Sequence, residues 1–202
     1  MPKKIIRLDL SYDGTDYMGY QKQKEFKTVQ GEIEKALEKL YKKPHKTIVS
    51  GRTDTGVHAI HQVVSFKSDK EIPLEGLKKG LNSLLPKDIR ILKTQYEHAK
   101  FHARFSPVKR TYMFVIYNGE ICPPFYQRYT YWVKQKISFK KLKKTLKYFL
   151  GTHDFSSFCE RPDKENRIRT VFQIKVKKSK PFYKIYITGN AFLRRMIRVI
   201  VG

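Results

Sequence analysis

The pattern of hydrophobic and polar positions predicts six elements in the first half of the chain. Residues 5–12 alternate apolar and polar side chains up to an Asp-Gly pair, which is typical of a half-buried strand ending in a turn. Residues 28–42 and 73–85 carry apolar side chains at helical spacing, and Thr28 is a plausible N-cap. Shorter strand patterns lie at residues 46–50, 61–66 and 88–96. The predicted order, β-α-β-β-α-β, is the ferredoxin-like arrangement of two helices on one face of an antiparallel sheet.

The second half predicts a looser version of the same order. Strands are expected at residues 109–118, 129–133, 169–178 and 181–188, and helices at residues 138–150 and 190–201. Gly151 is expected to end the first of these helices, and Asn190 to cap the second. A strand equivalent to residues 88–96 is missing at the C-terminus. We therefore expect a truncated chain, or one whose sheet a partner completes.

These elements predict an α+β protein of two ferredoxin-like halves with antiparallel sheets, related as an internal pseudo-repeat. The expected boundaries are residues 1–105 and 106–202, joined by residues 98–106 without a Gly- or Ser-rich linker. Two arrangements remain open, a single continuous sheet or two halves packed closely enough to enclose a cleft. We expect a basic central cleft with Asp54 at its floor.

The charge balance adds a candidate partner. The chain of 202 residues holds 43 Lys and Arg against 18 Asp and Glu, a formal net charge of +25. Such an excess attracts polyanions, and nucleic acid is the first candidate because bound phosphates release condensed counterions. A lysine-rich, solvated surface is the alternative.

Two cysteines exclude a disulfide framework, and no apolar run reaches the roughly 20 residues needed to span a bilayer. We expect a soluble, cytoplasmic protein.

Residues 51–59 are the most informative stretch, with the sequence Gly-Arg-Thr-Asp-Thr-Gly-Val-His-Ala. Two glycines bracket Arg52 and Asp54 between two predicted strands, so the loop can turn tightly and present the Asp54 side chain at a defined point. By pattern alone an Asp in such a loop is more often a turn-former or a helix cap. A lone carboxylate does not identify an enzyme.

Six separated motifs together resemble the TruA family of pseudouridine synthases. Residues 51–59 resemble the family signature Gly-Arg-Thr-Asp-X-Gly-Val-His-Ala, in which X is often Ala and here is Thr55. The other motifs lie at residues 10–15 with 19–21, 28–31, 101–105 with 109–112, 151–155, and 192–198. They follow the family order with similar spacing over residues 5–202, which makes the resemblance highly specific.

The resemblance implies three catalytic residues. Asp54 matches the family nucleophile, whose carboxylate attacks the target nucleoside at C6 of the base or C1′ of the ribose. Tyr112 matches the active-site tyrosine that packs on the base and removes the C5 proton. Arg198 matches the arginine that pairs with the aspartate. Without the family, Tyr112 would be an inward-facing strand residue and Arg198 a surface arginine.

The resemblance also implies a set of RNA-contacting residues. Arg52 matches the arginine that flips the base out; alternatively it brackets its loop with a salt bridge. Residues 101–105 match an RNA-contacting segment, although a strand end with alternating core phenylalanines is also compatible. Residues 165–169 resemble a second contact region less closely, and a solvated charged loop is the alternative. The expected substrate-binding residues, besides Tyr112, are Arg52, Phe101, His102, Ala103, Arg104, Phe105, Arg110 and Arg167.

Partners follow from the same resemblance. The family is homodimeric, with one tRNA across both subunits, and acts at positions 38, 39 and 40 of the anticodon stem-loop. Its chemistry is redox-neutral and needs no cofactor, and the histidines here lack the paired spacing of a zinc site.

Two alternative functions remain, a non-catalytic RNA-binding module of the same fold and a carboxylate-dependent nuclease. The nuclease would normally need clustered acids, and Asp54 is the only acid among residues 51–59.

Overall fold

The structure is a computed structural model that describes residues 4–160 and 166–202. The chain forms two compact units, Met1–Pro107 and Val108–Gly202. Each unit has its own sheet, one of four strands and one of five, so the single continuous sheet that the sequence left open is not formed.

The first unit contains the six predicted elements in the predicted order. They are β1 (Lys4–Tyr12), α1 (Val29–Tyr41), β2 (Thr47–Val49), β3 (Ala59–Ser68), α2 (Leu74–Leu84) and β4 (Ile89–Glu97). The strands are arranged β2-β3-β1-β4, and every neighbouring pair is antiparallel. Consequently β1 lies in the interior of the sheet, between β3 and β4.

The core of the first unit lies between this sheet and its two helices. Ile6, Leu8 and Leu10 alternate along β1 and are all completely buried, as period-two burial of one strand face requires. α1 and α2 complete the cluster, with Ile33, Leu37, Leu77 and Leu81 among its members. α1 begins where the sequence predicts, because the Thr28 hydroxyl accepts a hydrogen bond from the Gly31 amide at 3.3 Å.

In residues 108–160 and 166–202 the second unit contains five strands and three short α-helices. They are β5 (Arg110–Asn118), α3 (Pro124–Gln127), β6 (Tyr131–Val133), α4 (Phe139–Leu146), β7 (Gly151–Asp154), β8 (Ile168–Ser179), β9 (Phe182–Gly189) and α5 (Met196–Val201). The strand order is β6-β5-β9-β8-β7. The β5–β6 pair is parallel and the other pairs are antiparallel, so this sheet is mixed and not purely antiparallel as predicted. Ile185, Ile187 and Met196 lie at the centre of its core.

Two helix predictions in this unit are wrong in their bounds. The helix expected at residues 138–150 ends at Leu146 and continues as a 3₁₀ turn, and Gly151, with φ +103°, starts the unpredicted strand β7. Asn190 does not cap a helix. Its side-chain oxygen accepts from the backbone amides of Thr170 and Ala191, at 3.0 and 2.7 Å, and α5 begins only at Met196. An Asn side chain that bonds to nearby backbone competes with helix formation in this way.

None of the helices in the described part of the chain is long and apolar enough to cross a membrane.

Candidate active site

Asp54 lies in the loop between β2 and β3, at the start of a tight turn. The Val57 amide donates to the Asp54 carbonyl at 3.1 Å, and Gly56 has φ +73° at the third turn position. A positive φ at that position is what a type II turn requires, and glycine adopts it without steric cost. Within residues 4–107 no group donates to the Asp54 carboxylate, so the backbone forms the turn and the side chain takes no part in it.

A second loop, between β1 and α1, packs directly against the Asp54 loop. A Cβ at Gly14 would lie 2.1 Å from the Val57 carbonyl oxygen, and one at Gly19 would lie 2.9 Å from the Thr53 carbonyl oxygen. Gly19 also has φ +85°. The main chains of the two loops therefore approach more closely than any side chain would permit.

Backbone hydrogen bonds join the two loops on both sides of Asp54. The Tyr20 amide donates to the Thr53 carbonyl at 3.0 Å, and the Gly56 amide donates to the Tyr17 carbonyl at 3.3 Å. Because the residue before Asp54 and the second residue after it are both held, the loop has little freedom to move its carboxylate.

Three side chains add further anchors to this loop. The Tyr12 hydroxyl lies 2.8 Å from the Thr53 hydroxyl, and the Gln62 amide donates to the Gly51 carbonyl at 2.8 Å. The Ser50 hydroxyl donates to Gln62 Oε1 at 2.7 Å. Burial raises the pKa of Tyr12, which keeps its phenol protonated as a hydrogen-bonding group. Tyr12 lies in the motif at residues 10–15, but neither that motif nor any other pattern indicates the supporting roles of Tyr12 and Gln62.

His58 and His61 both contact acidic side chains close to the Asp54 loop. His58 Nδ1 lies 3.0 Å from the Gly14 amide nitrogen and 2.9 Å from Asp13 Oδ1, and His61 Nε2 lies 3.4 Å from Asp9 Oδ2. Over residues 4–160 and 166–202 no group of three or more His, Cys, Asp or Glu side chains could hold a metal ion.

Arg52 is exposed on the same loop as Asp54. Within residues 4–107 its guanidinium forms no ion pair, so the alternative of a salt bridge that brackets the loop finds no partner in this unit. Its cation is open to solvent two residues from the carboxylate.

Residues 101–105 form a turn and not a strand end. The Phe105 and Ser106 amides both donate to the His102 carbonyl, at 3.0 and 2.9 Å. Phe105 is 74% exposed, so it is no core phenylalanine, and Ala103 is the residue that is buried. The His102 and Phe105 rings stack at 4.4 Å, and the Arg104 guanidinium lies 5.5 Å from the Phe105 ring centre. An aromatic and cationic surface is thereby presented to solvent.

In the second unit, Tyr112 lies near the start of β5 and opposite Ile187. Its ring meets the Phe192 ring edge to face at 5.1 Å and is partly exposed. Arg110 is two residues earlier and therefore on the same face of the strand, and its guanidinium donates to the Asn190 carbonyl at 2.8 Å. Phe192 belongs to the motif at residues 192–198, and its contact with Tyr112 depends on the fold and not on that motif.

The remaining predicted residues of this unit lie on α5 and before β8. Arg198 is exposed on α5. Its neighbours Arg194 and Arg195 both pair with Glu160, at 3.5 and 2.9 Å. The Arg167 carbonyl accepts from the Phe155 amide at 3.2 Å, which ties the contact region at residues 165–169 to the chain after β7. Residue 165 of that region lies outside the described residues.

The fold and the loop together define an α+β protein with two separate sheets and one carboxylate held on a rigid, glycine-lined turn. A family model described as tRNA pseudouridine synthase matches residues 10–106 and 145–202. The chain belongs to this family, as the motifs indicated.

Relatives extend the match over nearly the whole chain. Proteins named tRNA pseudouridine synthase A are 38% identical in Thermoanaerobacter sp. (strain X514) over 98% of this chain and 81% of the relative, and 40% identical in Pseudothermotoga lettingae over 96% and 80%. The protein of that name in Borrelia duttonii is 41% identical over 99% of this chain and 82% of its own length.

Proposed function

We propose that this chain is a tRNA pseudouridine synthase, an isomerase that converts uridine in tRNA to pseudouridine. The observation that carries the proposal is the carboxylate of Asp54, which belongs to the family signature and sits on a turn fixed through its main chain. The chain's family and its relatives' names support the same activity.

Asp54 is the nucleophile in this proposal. Its carboxylate attacks C6 of the uracil or C1′ of the ribose, and the glycosidic bond from N1 to C1′ breaks. The uracil rotates, C5 bonds to C1′, and the covalent bond to the Asp54 carboxylate breaks. The proton on C5 then leaves, and N1 gains one, so no water or cosubstrate is consumed. A fixed turn serves this step because a nucleophile must be held within bonding distance of its target.

Tyr112 and Arg198 act on the same uridine. Tyr112 stacks on the extruded base and removes the C5 proton, and its partly exposed ring, held by Phe192, suits that task. Arg198 is proposed as the cationic partner of the Asp54 carboxylate.

The exposed cations and aromatics supply RNA contacts. Arg52 offsets part of the cost of unstacking the base, which is a few kcal/mol. Phe101, His102, Arg104 and Phe105 contact the RNA through the exposed stack of Phe105 on His102, while Ala103 lies buried in the same turn. Arg110 and Arg167 contribute cations. Basic and aromatic side chains together provide backbone contact and base stacking.

The finer assignments belong to the same proposal. The targets are positions 38, 39 and 40 of the anticodon stem-loop, and the active form is a cytoplasmic homodimer. The two halves are ferredoxin-like units of a pseudo-repeat. Residues 1–105 carry the nucleophile, and residues 106–202 supply the tyrosine and the arginine that act with it.

Tritium release from tRNA transcripts labelled at C5 of uridine tests the activity. The synthase releases tritium and leaves the RNA at full length. A carboxylate-dependent nuclease would shorten the RNA, and a non-catalytic RNA-binding module would bind it without either change. Release without cleavage supports the proposal, and either of the other outcomes contradicts it.

A further inference from the structure

One face of the second sheet carries uncompensated positive charge. Val176 and Ile185 pack into the core of this unit on the opposite face. Because side chains alternate along a strand, Lys175 and Lys177 of β8 and Lys184 of β9 project away from that core. All three are exposed. We call these three residues the lysine face.

The register of the sheet places two of these charges against each other. Lys177 is the direct cross-strand partner of Lys184. Side chains in that relation have Cβ atoms about 5 Å apart, and like charges there are destabilising. In the part of the chain that the structure describes, no carboxylate forms an ion pair with any residue of the lysine face. The repulsion is therefore not offset locally.

Several lysines of the first unit do have such partners. In the first unit three exposed ion pairs join Lys35 to Glu32, Lys43 to Asp69 and Lys78 to Glu75. We call Lys35, Lys43 and Lys78 the paired lysines. They carry the same charge as the lysine face, but each has a carboxylate beside it.

An aromatic ring lies among the unpaired cations. Tyr186 is the cross-strand partner of Lys175, and the Lys177 ammonium lies 5.9 Å from the Tyr186 ring centre. On its other side Tyr186 faces Met113, which is 38% exposed. Cations interleaved with partly exposed aromatic surface are typical of contacts to nucleic-acid backbone and bases.

We propose that the lysine face binds the sugar-phosphate backbone of RNA, and that it does so apart from the residues assigned to the target uridine. Tyr112 projects from the other face of β5, because it alternates with Met113. Phosphates would neutralise the three cations and relieve the repulsion between Lys177 and Lys184. A second copy of the chain is a poorer occupant, since a two-fold axis through this face would set lysines against lysines.

Binding of an unmodified tRNA transcript at a series of KCl concentrations tests this inference. The variant that combines Lys175→Gln, Lys177→Gln and Lys184→Gln should raise Kd at least about tenfold at 0.1 M salt and lower the slope of log Kd against log salt by about 2. The matched variant that combines Lys35→Gln, Lys43→Gln and Lys78→Gln removes the same charge and should change Kd less than about threefold. Replacing the lysine face by arginines should keep wild-type affinity.

Stability separates this effect from misfolding. Lys177→Gln removes the cross-strand repulsion, so its thermal midpoint should equal or exceed that of the wild type, and its Kd for tRNA should still rise. The inference concerns binding alone, so it stands or fails independently of the nucleophile assigned to Asp54.

Three outcomes would overturn the inference. One is unchanged tRNA affinity in the lysine-face variant. Another is an equal loss in the paired-lysine variant, which would make net charge the cause. The third is a lysine-face variant that loses binding to phosphatidylserine–phosphatidylcholine vesicles but still binds tRNA like the wild type. That result would assign the face to an anionic membrane.

Discussion

Asp54 is positioned by its neighbours' main chains and not by bonds to its own side chain. Gly14 and Gly19 let the loop before α1 approach the carbonyls of Val57 and Thr53. Hydrogen bonds to Thr53 and from Gly56 then fix the chain on both sides of the carboxylate. In residues 4–107 the carboxylate accepts no hydrogen bond, so it keeps its oxygens available for a substrate.

Gly19→Ala tests this account of the loop. The added Cβ meets the Thr53 carbonyl oxygen at 2.9 Å, and φ is +85°. We expect the thermal midpoint to fall by at least about 2 °C and kcat by at least about tenfold, because strain of this kind costs about 1–3 kcal/mol and displaces the loop.

Gly76→Ala is the matched control for that change. Gly76 is exposed in α2, and a Cβ there would meet no atom within 4 Å. Alanine is favoured over glycine in a helix by about 1 kcal/mol, so the midpoint should hold or rise and kcat should stay the same. Calorimetry and initial rates of tritium release measure both. Equal midpoints and rates for the two variants would show that the close approach at Gly19 does not matter.

Asp54 could be predicted from the sequence because its neighbours carry the family signature. The residues that support its loop, Tyr12 and Gln62, lie outside that signature and could not be predicted in the same way. Tyr12 and Gln62 are 41 and 11 residues from the Thr53 and Gly51 atoms that they contact. Only the pairing of β1 with β3 brings them to the loop, and that register is a tertiary property. The alternative that residues 101–105 form a strand end with core phenylalanines fails at Phe105 for a related reason, since periodicity cannot distinguish a strand end from a compact turn.

At the scale of elements, two predicted N-caps show when a capping residue actually starts a helix. Thr28 and Asn190 were both predicted as N-caps, and only Thr28 is one. Thr28 precedes a run of apolar positions that pack between sheet and helix, and burial stabilises the helix it starts. The Asn190 side chain instead bonds to the amide of Thr170 in β8, 20 residues away, and the local sequence does not encode that contact.

Thr28→Ala tests the contribution of the cap to α1. Loss of the bond from the Gly31 amide should lower the free energy of unfolding by about 1 kcal/mol, because a buried helix end is left with an unsatisfied donor. Thr28→Ser keeps the hydroxyl and should recover most of that loss. Urea titration followed by circular dichroism gives both values. A Ser variant as unstable as the Ala variant would assign the effect to the lost methyl group.

At the scale of the whole molecule, the excess of positive charge should govern RNA affinity. A net charge of +25 far exceeds what solubility needs, and phosphate contacts release counterions on binding. Recognition through backbone and shape also suits the proposed action on several neighbouring uridines.

Equilibrium binding of tRNA at a series of salt concentrations tests that expectation. The slope of log Kd against log salt should be about 4 or more, which corresponds to at least four or five phosphate contacts. Filter binding between roughly 50 and 400 mM KCl measures this change in Kd, because the Debye length shortens markedly over that range. A Kd that hardly changes with salt concentration would mean that the basic surface is solvated and does not bind the RNA phosphates.

The central claim is that the Asp54 carboxylate performs the covalent step. Asp54→Asn keeps the size of the side chain and removes its nucleophilic charge, and Asp16→Asn makes the same change at an exposed position of the adjoining loop. The measurement is single-turnover tritium release from C5-labelled tRNA with saturating enzyme. We expect Asp54→Asn to be at least about a thousandfold slower, with Kd for tRNA within about twofold of wild type, and Asp16→Asn to be unchanged. Pseudouridine formation by Asp54→Asn at a rate comparable to wild type would contradict the account.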